Sequence, residues 1–268
     1  MNVSEIGLST KASVLKEARA IATYHLGGQT ASAKECILQR MFSRTIDVAM
    51  KDKKHYIIQL RAESVHEENA QQAHDILGNV VPVPVRVVRE GSPVPFAYVM
   101  PCVPGSTWPT KERRSNWPAA NYVKVAGQVG DMIGRCCSPQ SDSQRHVMDT
   151  FIIPHLQLYL DWEDPGVAPY KELIRGLLER ANELRKLPLC FTHWDINMMN
   201  IMVSDDADIC GILDWEESYW MPLGMTTFYE AKFPPHPSHT GVLLDKMATY
   251  KVPTDLSVLV YLTCVCRC

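Results

Sequence analysis

The sequence predicts an α+β protein in two parts, a small sheet-rich part followed by a larger, mainly helical part. Residues 30–101 alternate short apolar runs, typical of antiparallel strands, with one helical segment. A loop with four prolines follows at 101–118 and is the one convincing domain boundary. Beyond this loop, residues 121–138 and 170–187 carry apolar side chains at helical spacing. A helical second part is therefore expected after the sheet.

Composition excludes several classes of protein. The 268 residues are 46% hydrophobic and 21% charged, which is enough to bury a core and rules out wholesale disorder. A net charge of −3 gives no electrostatic case for a nucleic-acid partner or an anionic membrane surface. We find neither a secretory signal nor an apolar run of about 18 residues, so we expect a cytoplasmic protein. Its nine cysteines are then expected to be reduced thiols, and its oligomeric state is left open.

Each element of the first part has its own signal in the sequence. A helix is expected over 11–26, where apolar residues recur at helical spacing and Gly27 and Gly28 end the pattern. A second helix is expected over 66–78, with Gly78 as its C-terminal stop. The strands are expected at 36–42, 45–50, 55–61, 81–88 and 95–101.

The most informative segment is a predicted hairpin within residues 190–224. Two apolar strands flank the polar turn S-D-D-A-D, and antiparallel pairing sets Asn200 opposite about Ile212. This pairing gathers Asp195, Asn200 and Asp214 at one end of the hairpin. Their oxygens suit Mg²⁺, and phosphoryl transfer needs such a set. Taken singly, Asp195 would cap a turn and Asp214 would end a strand, but the joint pattern favours a catalytic site.

The letters of this segment carry a family resemblance. Residues 193–202 are H-W-D-I-N-M-M-N-I-M, and residues 212–216 are I-L-D-W-E. This arrangement resembles the aminoglycoside phosphotransferase and choline kinase-like family, whose pattern is H-G-D-x-x-x-x-N-I-L followed by I-D-W-E. The match is most similar to the fungal branch of small-molecule kinase-like proteins. It covers roughly residues 35–235, specifically at 190–224 and loosely elsewhere.

The resemblance implies a bilobal protein kinase-like fold that binds ATP in the cleft between its lobes. The small antiparallel-sheet N-lobe would span 1–100, the hinge 101–108 and the larger, mainly helical C-lobe 109–268. The C-lobe would hold the catalytic loop and the metal-binding hairpin. Asp195 would then be the catalytic base, and Asn200 and Asp214 would be the Mg²⁺ ligands.

The resemblance also assigns residues to the nucleotide. Met100, Cys102 and Val103 would form the hinge whose backbone meets adenine. Glu68 matches the glutamate of the family's N-lobe helix, which pairs with a phosphate-binding lysine or arginine.

The N-lobe departs from the family pattern in its nucleotide clamp. The phosphate-binding position is occupied by Gln59, which lacks the charge, although Arg61 lies on the same face of the strand and would reach Glu68. The expected glycine-rich cover is absent from R-M-F-S-R-T-I-D at 40–47. Outside the N-lobe, Trp194 replaces the glycine that precedes the catalytic aspartate.

Two functions follow from these observations. The first is an ATP- and Mg²⁺-dependent phosphotransferase that acts on a hydroxyl of a small molecule and has an atypical nucleotide clamp. The alternative is a catalytically degenerate, pseudokinase-like protein that binds a ligand or acts as a scaffold. A protein Ser/Thr kinase is disfavoured because W-E follows Asp214 instead of F-G, and no A-P-E segment is present. The sequence does not identify the acceptor.

Overall fold

A computed structural model describes residues 6–8, 10–36, 43–110, 117–138 and 146–223 of the chain. The chain divides into two compact units. The first comprises residues 1–74 and 79–104, and the second comprises residues 75–78 and 105–268. The first is a helix-covered antiparallel sheet and the second is mainly helical, which confirms the predicted α+β class.

The first unit is built on a five-stranded antiparallel sheet. Its elements are α1 (Lys11–Leu26), β1 (Thr30–Glu35), β2 (Ser43–Met50), β3 (His55–Arg61), α2 (Glu67–Leu77), a 3₁₀ turn (Gly78–Val80), β4 (Val85–Arg86) and β5 (Phe96–Pro101). The strand order in the sheet is β1-β2-β3-β5-β4, so β3 is the central strand and lies between β2 and β5.

Two strands of this sheet differ from the sequence-based expectation. The first strand, Thr30–Glu35, was not expected, and the strand that was expected at 36–42 lies from residue 37 onwards outside the described residues. The sequence of β1 has no alternating apolar pattern because β1 is an edge strand in which only Ala33 is buried. β4 has two residues instead of eight, since Pro82 and Pro84 have no N–H to donate to a ladder.

Helix α1 is capped at both ends and is bonded at its middle to the segment between β4 and β5. Thr10 and Ser13 form a reciprocal capping box at the start, and Gly27 ends the helix in the left-handed conformation at φ 69°. At its middle the buried carboxylate of Glu17 accepts hydrogen bonds of 2.7 and 2.8 Å from Arg89 and of 2.7 Å from Ser92. A charge-assisted contact therefore accompanies the apolar packing of α1.

The second unit contains several helices and two small antiparallel sheets. One sheet has the order β10-β9-β6 and the other has the order β11-β8-β7. The helices are α3 (Ala119–Arg135), a π-helical turn (Met148–Ile152) that continues into α4 (Ile153–Asp161), a 3₁₀ turn (Ala168–Tyr170), α5 (Lys171–Glu179) and α6 (Ala181–Leu184). The strands are β6 (Ser106–Thr107), β7 (Cys137–Ser138), β8 (Leu189–His193), β9 (Ile201–Val203), β10 (Ile209–Ile212) and β11 (Ser218–Pro222).

The end of α2 belongs with the second unit. Arg135, the last residue of α3, donates a hydrogen bond of 2.7 Å to the carbonyl oxygen of Ile76. The change of unit after Pro104 falls inside the segment that the resemblance assigns to the hinge. Among the described helices, none is long and apolar enough to cross a membrane.

A disulfide joins Cys137 in β7 to Cys190 in β8. The two residues face each other directly in the antiparallel register. The expectation that every cysteine is a reduced thiol is therefore wrong for this pair. The pairing was not visible in the sequence because 53 positions separate the two residues and β7 is only two residues long.

The first testable consequence concerns Gly105, where the second unit begins. Its φ of +90° disfavours any side chain, and an added Cβ would lie 2.4 Å from the carbonyl oxygen of Val203. We expect Gly105→Ala to lower the free energy of unfolding by roughly 2 kcal/mol or more. The matched control is Gly176→Ala in α5, where the Cβ meets nothing within 4 Å. This control should raise stability by about 0.5–1 kcal/mol. Similar effects of both substitutions in chemical denaturation would contradict the close approach at Gly105.

Candidate active site

His193 ties the two halves of the candidate site together. It ends the buried strand β8 and is 3% exposed. Its Nδ1 accepts a hydrogen bond of 3.1 Å from the backbone N–H of Asp195, and its Nε2 lies 2.8 Å from the carbonyl oxygen of Leu213. Because an amide N–H only donates and a carbonyl oxygen only accepts, the ring hydrogen must be on Nε2. The imidazole thus holds the loop that follows β8 to the segment that precedes Asp214.

Asn200 and Asn197 fold this loop around Asp195. The side-chain nitrogens of Asn200 and Asn197 donate to the backbone carbonyl of Asp195 at 2.8 and 3.0 Å. Asn200 is 2% exposed, and its nitrogen also lies 3.4 Å from Oδ2 of Asp195. The side-chain oxygen of Asn197 accepts from the amide of Met199 at 2.8 Å. The backbone of Asp195 is therefore fixed from two sides, while Asp195 as a residue is exposed.

The hairpin predicted around S-D-D-A-D is confirmed, but its register differs by one residue. Ile209 pairs with Val203, whereas Gly211 pairs with Met202 and Ile212 with Ile201. This shift is a β-bulge at Cys210, and it leaves Asn200 next to Leu213, whose amide donates to the Asn200 carbonyl at 2.8 Å. The expected pairing of Asn200 with Ile212 is therefore wrong. Asp214 therefore follows the residue opposite Asn200 by one position instead of two.

Asp214 has an unusual backbone conformation. Its φ is +75°, in the left-handed region that few residues other than glycine adopt at low cost, with Asp and Asn the best tolerated. The next residue fixes the position from the core side. Trp215 is 4% exposed, donates through Nε1 to the Ile212 carbonyl at 3.1 Å and meets His193 edge-on at 4.8 Å. A buried indole thus holds the strained turn that presents Asp214.

The donor set fits a hard divalent cation. The Nδ2 atom of Asn200 is directed at Asp195, so the amide oxygen is on the other side of the group. An amide oxygen and the carboxylate of Asp214 are ligands of the kind that Mg²⁺ takes, usually one or two from protein and the rest from phosphates and water. In the described ranges no group of three or more His, Cys, Asp and Glu side chains is placed to bind a metal. A pair completed by a phosphate ligand agrees with that finding.

Trp194 packs against the helical unit. Its ring contacts the buried cluster around Met148 and Leu156, and it meets Tyr219 edge-on at 6.2 Å. The Trp194 amide donates to the carbonyl of Glu217 at 2.9 Å. Tyr219 donates its hydroxyl hydrogen to Glu217 at 2.6 Å, which raises the pKa of Tyr219.

The phosphate-side residues of the first unit have contrasting environments. Gln59 lies in β3 opposite Thr45 and Tyr98 and is half-buried, while Arg61 at the end of the same strand is 6% exposed. The side chain of Glu68 is 73% exposed, and its carboxylate lies 3.0 Å from His66. A hydrogen bond from its own backbone, followed by the contact with His66, lowers the pKa of Glu68. Glu68 thus pairs with His66.

Some backbone groups of the expected hinge residues already form hydrogen bonds within the sheet. Met100 pairs with Ile57 in β3, and the amide of Cys102 donates to the carbonyl of His55 at 3.1 Å. Backbone groups alternate in direction along an extended chain. By this alternation the carbonyl of Pro101, the last residue of β5, is directed to the edge away from β3. Met100 and Cys102, two of the three residues predicted to meet adenine, thus use their backbone groups within the sheet.

The sequence of residues 43–225 matches the model of a family described as phosphotransferase enzyme family. This match covers more than half of the chain. The chain belongs to this phosphotransferase family. Family membership confirms the resemblance drawn from the catalytic segment and supports a phosphotransferase activity toward a small molecule. No curated protein matches the chain significantly.

Solved structures of the same fold agree with the family assignment. The apoenzyme of macrolide 2′-phosphotransferase from Brachybacterium faecium has a TM-score of 0.59 at 13% identity, over 90% of this chain and 84% of that one. Ethanolamine kinase from Plasmodium vivax has a TM-score of 0.54 at 12% identity, over 97% and 80%. A ternary complex of APH(2″)-IIa with streptomycin and ATP also has a TM-score of 0.54 at 12% identity, over 90% and 83%. At these identities the likeness establishes the protein kinase-like phosphotransferase fold.

The left-handed backbone at Asp214 can be tested by two substitutions. Both Asp214→Gly and Asp214→Ala remove the carboxylate, but only glycine tolerates a φ of +75° without steric cost. We expect Asp214→Ala to be less stable than Asp214→Gly by about 1 kcal/mol in urea unfolding. Equal stability, or a more stable alanine variant, would show that Asp214 does not adopt this conformation in solution.

Proposed function

We propose that this phosphotransferase transfers the terminal phosphoryl group of ATP, with Mg²⁺, to a hydroxyl group of a small molecule. The observation that carries the proposal is the clustering of one exposed aspartate, a buried asparagine and a strained aspartate. Asn200 bonds to the backbone of Asp195, and its own backbone accepts a hydrogen bond from Leu213, the residue before Asp214. These three side chains are the set that the catalytic-loop and metal roles require.

Each residue of this set has a proposed task. The carboxylate of Asp195 orients the acceptor hydroxyl and takes its proton, which its exposed position allows. Asn200 and Asp214 hold Mg²⁺, which neutralises charge on the phosphates when it is bound. Asn197 and His193 keep the Asp195 backbone in place through their bonds to its carbonyl and amide. A catalytic base that is held in place lowers the activation barrier more than a mobile one, because no further entropy is lost in positioning it.

The nucleotide is proposed to bind the first unit through an edge of the backbone and one cation. The Val103 N–H and the Pro101 carbonyl form a donor and acceptor pair suited to adenine, since the Cys102 amide is bonded to His55. Met100 contributes its side chain beside this edge. Arg61 supplies the positive charge that Gln59 lacks at the phosphates, and Glu68 takes no part in holding it because Glu68 pairs with His66.

A catalytically degenerate binding protein is the second candidate function. The observation that favours it is the position of Glu68, which is highly exposed and contacts His66. In protein kinases the lysine–glutamate pair must be in place for activity. Under this alternative the second unit would keep its geometry while the nucleotide would bind weakly or not at all.

Calorimetric titration with ATP separates the two candidates. The wild-type protein should bind ATP more tightly with Mg²⁺ than without it, and Asp214→Ala should lose at least roughly tenfold of that Mg²⁺-dependent affinity. Asp214→Gly serves as a second variant without the carboxylate but with the backbone strain relieved. Absence of binding to a folded wild-type protein would remove the kinase proposal in favour of the degenerate protein. Equal Mg²⁺-dependent binding by wild type and both variants would remove Asp214 from the metal role.

The base is tested by Asp195→Asn. The amide keeps the shape of the side chain but cannot take the hydroxyl proton, so turnover in an ATP-consumption assay with a pool of small alcohols should fall by about 10²–10⁴-fold. ATP affinity and the melting temperature should stay close to wild type. Asp161→Asn, an exposed aspartate at the end of α4, is the matched control and should keep full activity. Retained turnover in Asp195→Asn would assign the proton transfer to another group.

A further inference from the structure

The disulfide between Cys137 and Cys190 lies where the end of α3, the short strand β7 and the strand β8 meet. Cys137 follows Cys136, the residue that caps the end of α3, and forms β7 with Ser138. Cys190 is fully buried in β8, three residues before His193. Besides the disulfide, β7 is held to β8 by two register pairs and by a hydrogen bond of 3.0 Å from the Phe191 amide to the Cys136 carbonyl.

β8 carries the catalytic loop, so its attachment affects the candidate site. The strand ends at His193, whose ring bonds to the Asp195 amide and to the Leu213 carbonyl. On one side β8 pairs with the five residues of β11, but on the other side its neighbour β7 has only two residues. A ladder of two pairs is weak on its own. The covalent bond is therefore the strongest link between α3 and the strand that positions Asp195.

We infer that Cys137 and Cys190 form a reversible thiol–disulfide couple that sets how firmly β8 and the catalytic loop are held. Oxidation joins the strand to the end of α3, and reduction leaves the two-residue ladder alone. The inference uses only the second unit and does not depend on the proposed phosphotransferase activity. It concerns the order of the loop at 193–200, which can be measured without turnover.

The oxidation balances with a low-molecular-weight disulfide such as oxidised glutathione. The Cys137 thiolate attacks one glutathione sulfur, a mixed disulfide forms and the first glutathione thiolate leaves. The Cys190 thiolate then attacks the Cys137 sulfur and displaces the second glutathione. Two protons and two electrons pass from the protein thiols to glutathione. Cys137 is the point of entry because it is half-buried, whereas Cys190 is fully buried.

Neighbouring cysteines do not compete well for this exchange. Cys136 is next in sequence to Cys137, but burial raises the pKa of its thiol to about 12. A thiol with so high a pKa is almost entirely protonated near neutral pH, and because only the thiolate is a good nucleophile, it reacts slowly. Cys210, at the bulge of the β9–β10 hairpin, also remains a thiol, and burial raises its pKa. These two residues provide controls within the same unit.

The test equilibrates the full chain in glutathione buffers of graded potential, followed by thiol alkylation and peptide mass mapping. We expect residues 137 and 190 to become protected together as the buffer becomes oxidising. Hydrogen exchange of the amides at 193–200 should then be at least about tenfold slower in the oxidised protein than in the reduced one. Cys137→Ser should abolish this difference, while Cys210→Ser should keep it. Cys190→Ala is a second variant, chosen because a buried serine at 190 would lack a partner.

Two outcomes would overturn the inference. One is continued alkylation of both cysteines at every potential, or their pairing with other cysteines. The other is a Cys137–Cys190 disulfide that forms but leaves hydrogen exchange at 193–200 unchanged, since the bond would then be structural only. An ATP titration that fails would not affect either readout. The inference and the proposed function can therefore fail independently.

Discussion

The candidate site depends on a single buried imidazole with one hydrogen. His193 accepts from the amide of Asp195 and donates to the carbonyl of Leu213, and both partners are backbone groups. A ring protonated on both nitrogens has no acceptor for the Asp195 amide, and a ring hydrogen on Nδ1 would leave the Leu213 carbonyl without its donor. One neutral tautomer therefore satisfies both halves of the site. Because His193 is 3% exposed, water cannot easily replace either partner.

The two hydrogen bonds of His193 depend on the residues that pack around its ring. Trp215 covers one side of the imidazole and stacks on Phe191 with ring centroids 6.0 Å apart, which keeps the ring dry and fixed. The same tryptophan follows Asp214, so the packing that protects the imidazole also holds the left-handed turn. Strain at Asp214 and burial at His193 are thus two effects of one packed cluster. Strained backbone of this kind persists only where the neighbouring structure determines it.

The sequence predicts this cluster better than it predicts its register. Hydrophobic periodicity and turn chemistry were enough for α1, α2, β2, β3 and the β9–β10 hairpin. The bulge at Cys210 was not predictable, because a bulge changes the pairing without changing the pattern of apolar residues. The Cys137–Cys190 disulfide and the hydrogen bond that Arg89 donates to Glu17 join positions far apart in sequence. Such contacts follow from the tertiary fold and leave no local signal.

The two units make different contributions to the balance between an active and a degenerate protein. In the first unit the departures from the family pattern have local substitutes: a buried arginine two residues from Gln59 and a histidine partner for Glu68. In the second unit Trp194 replaces the family's glycine, but Asp195, Asn200 and Asp214 keep the family's residue types, and Asp214 does so in a conformation that would cost glycine less. The catalytic set of the second unit therefore supports the proposed active enzyme over the degenerate alternative.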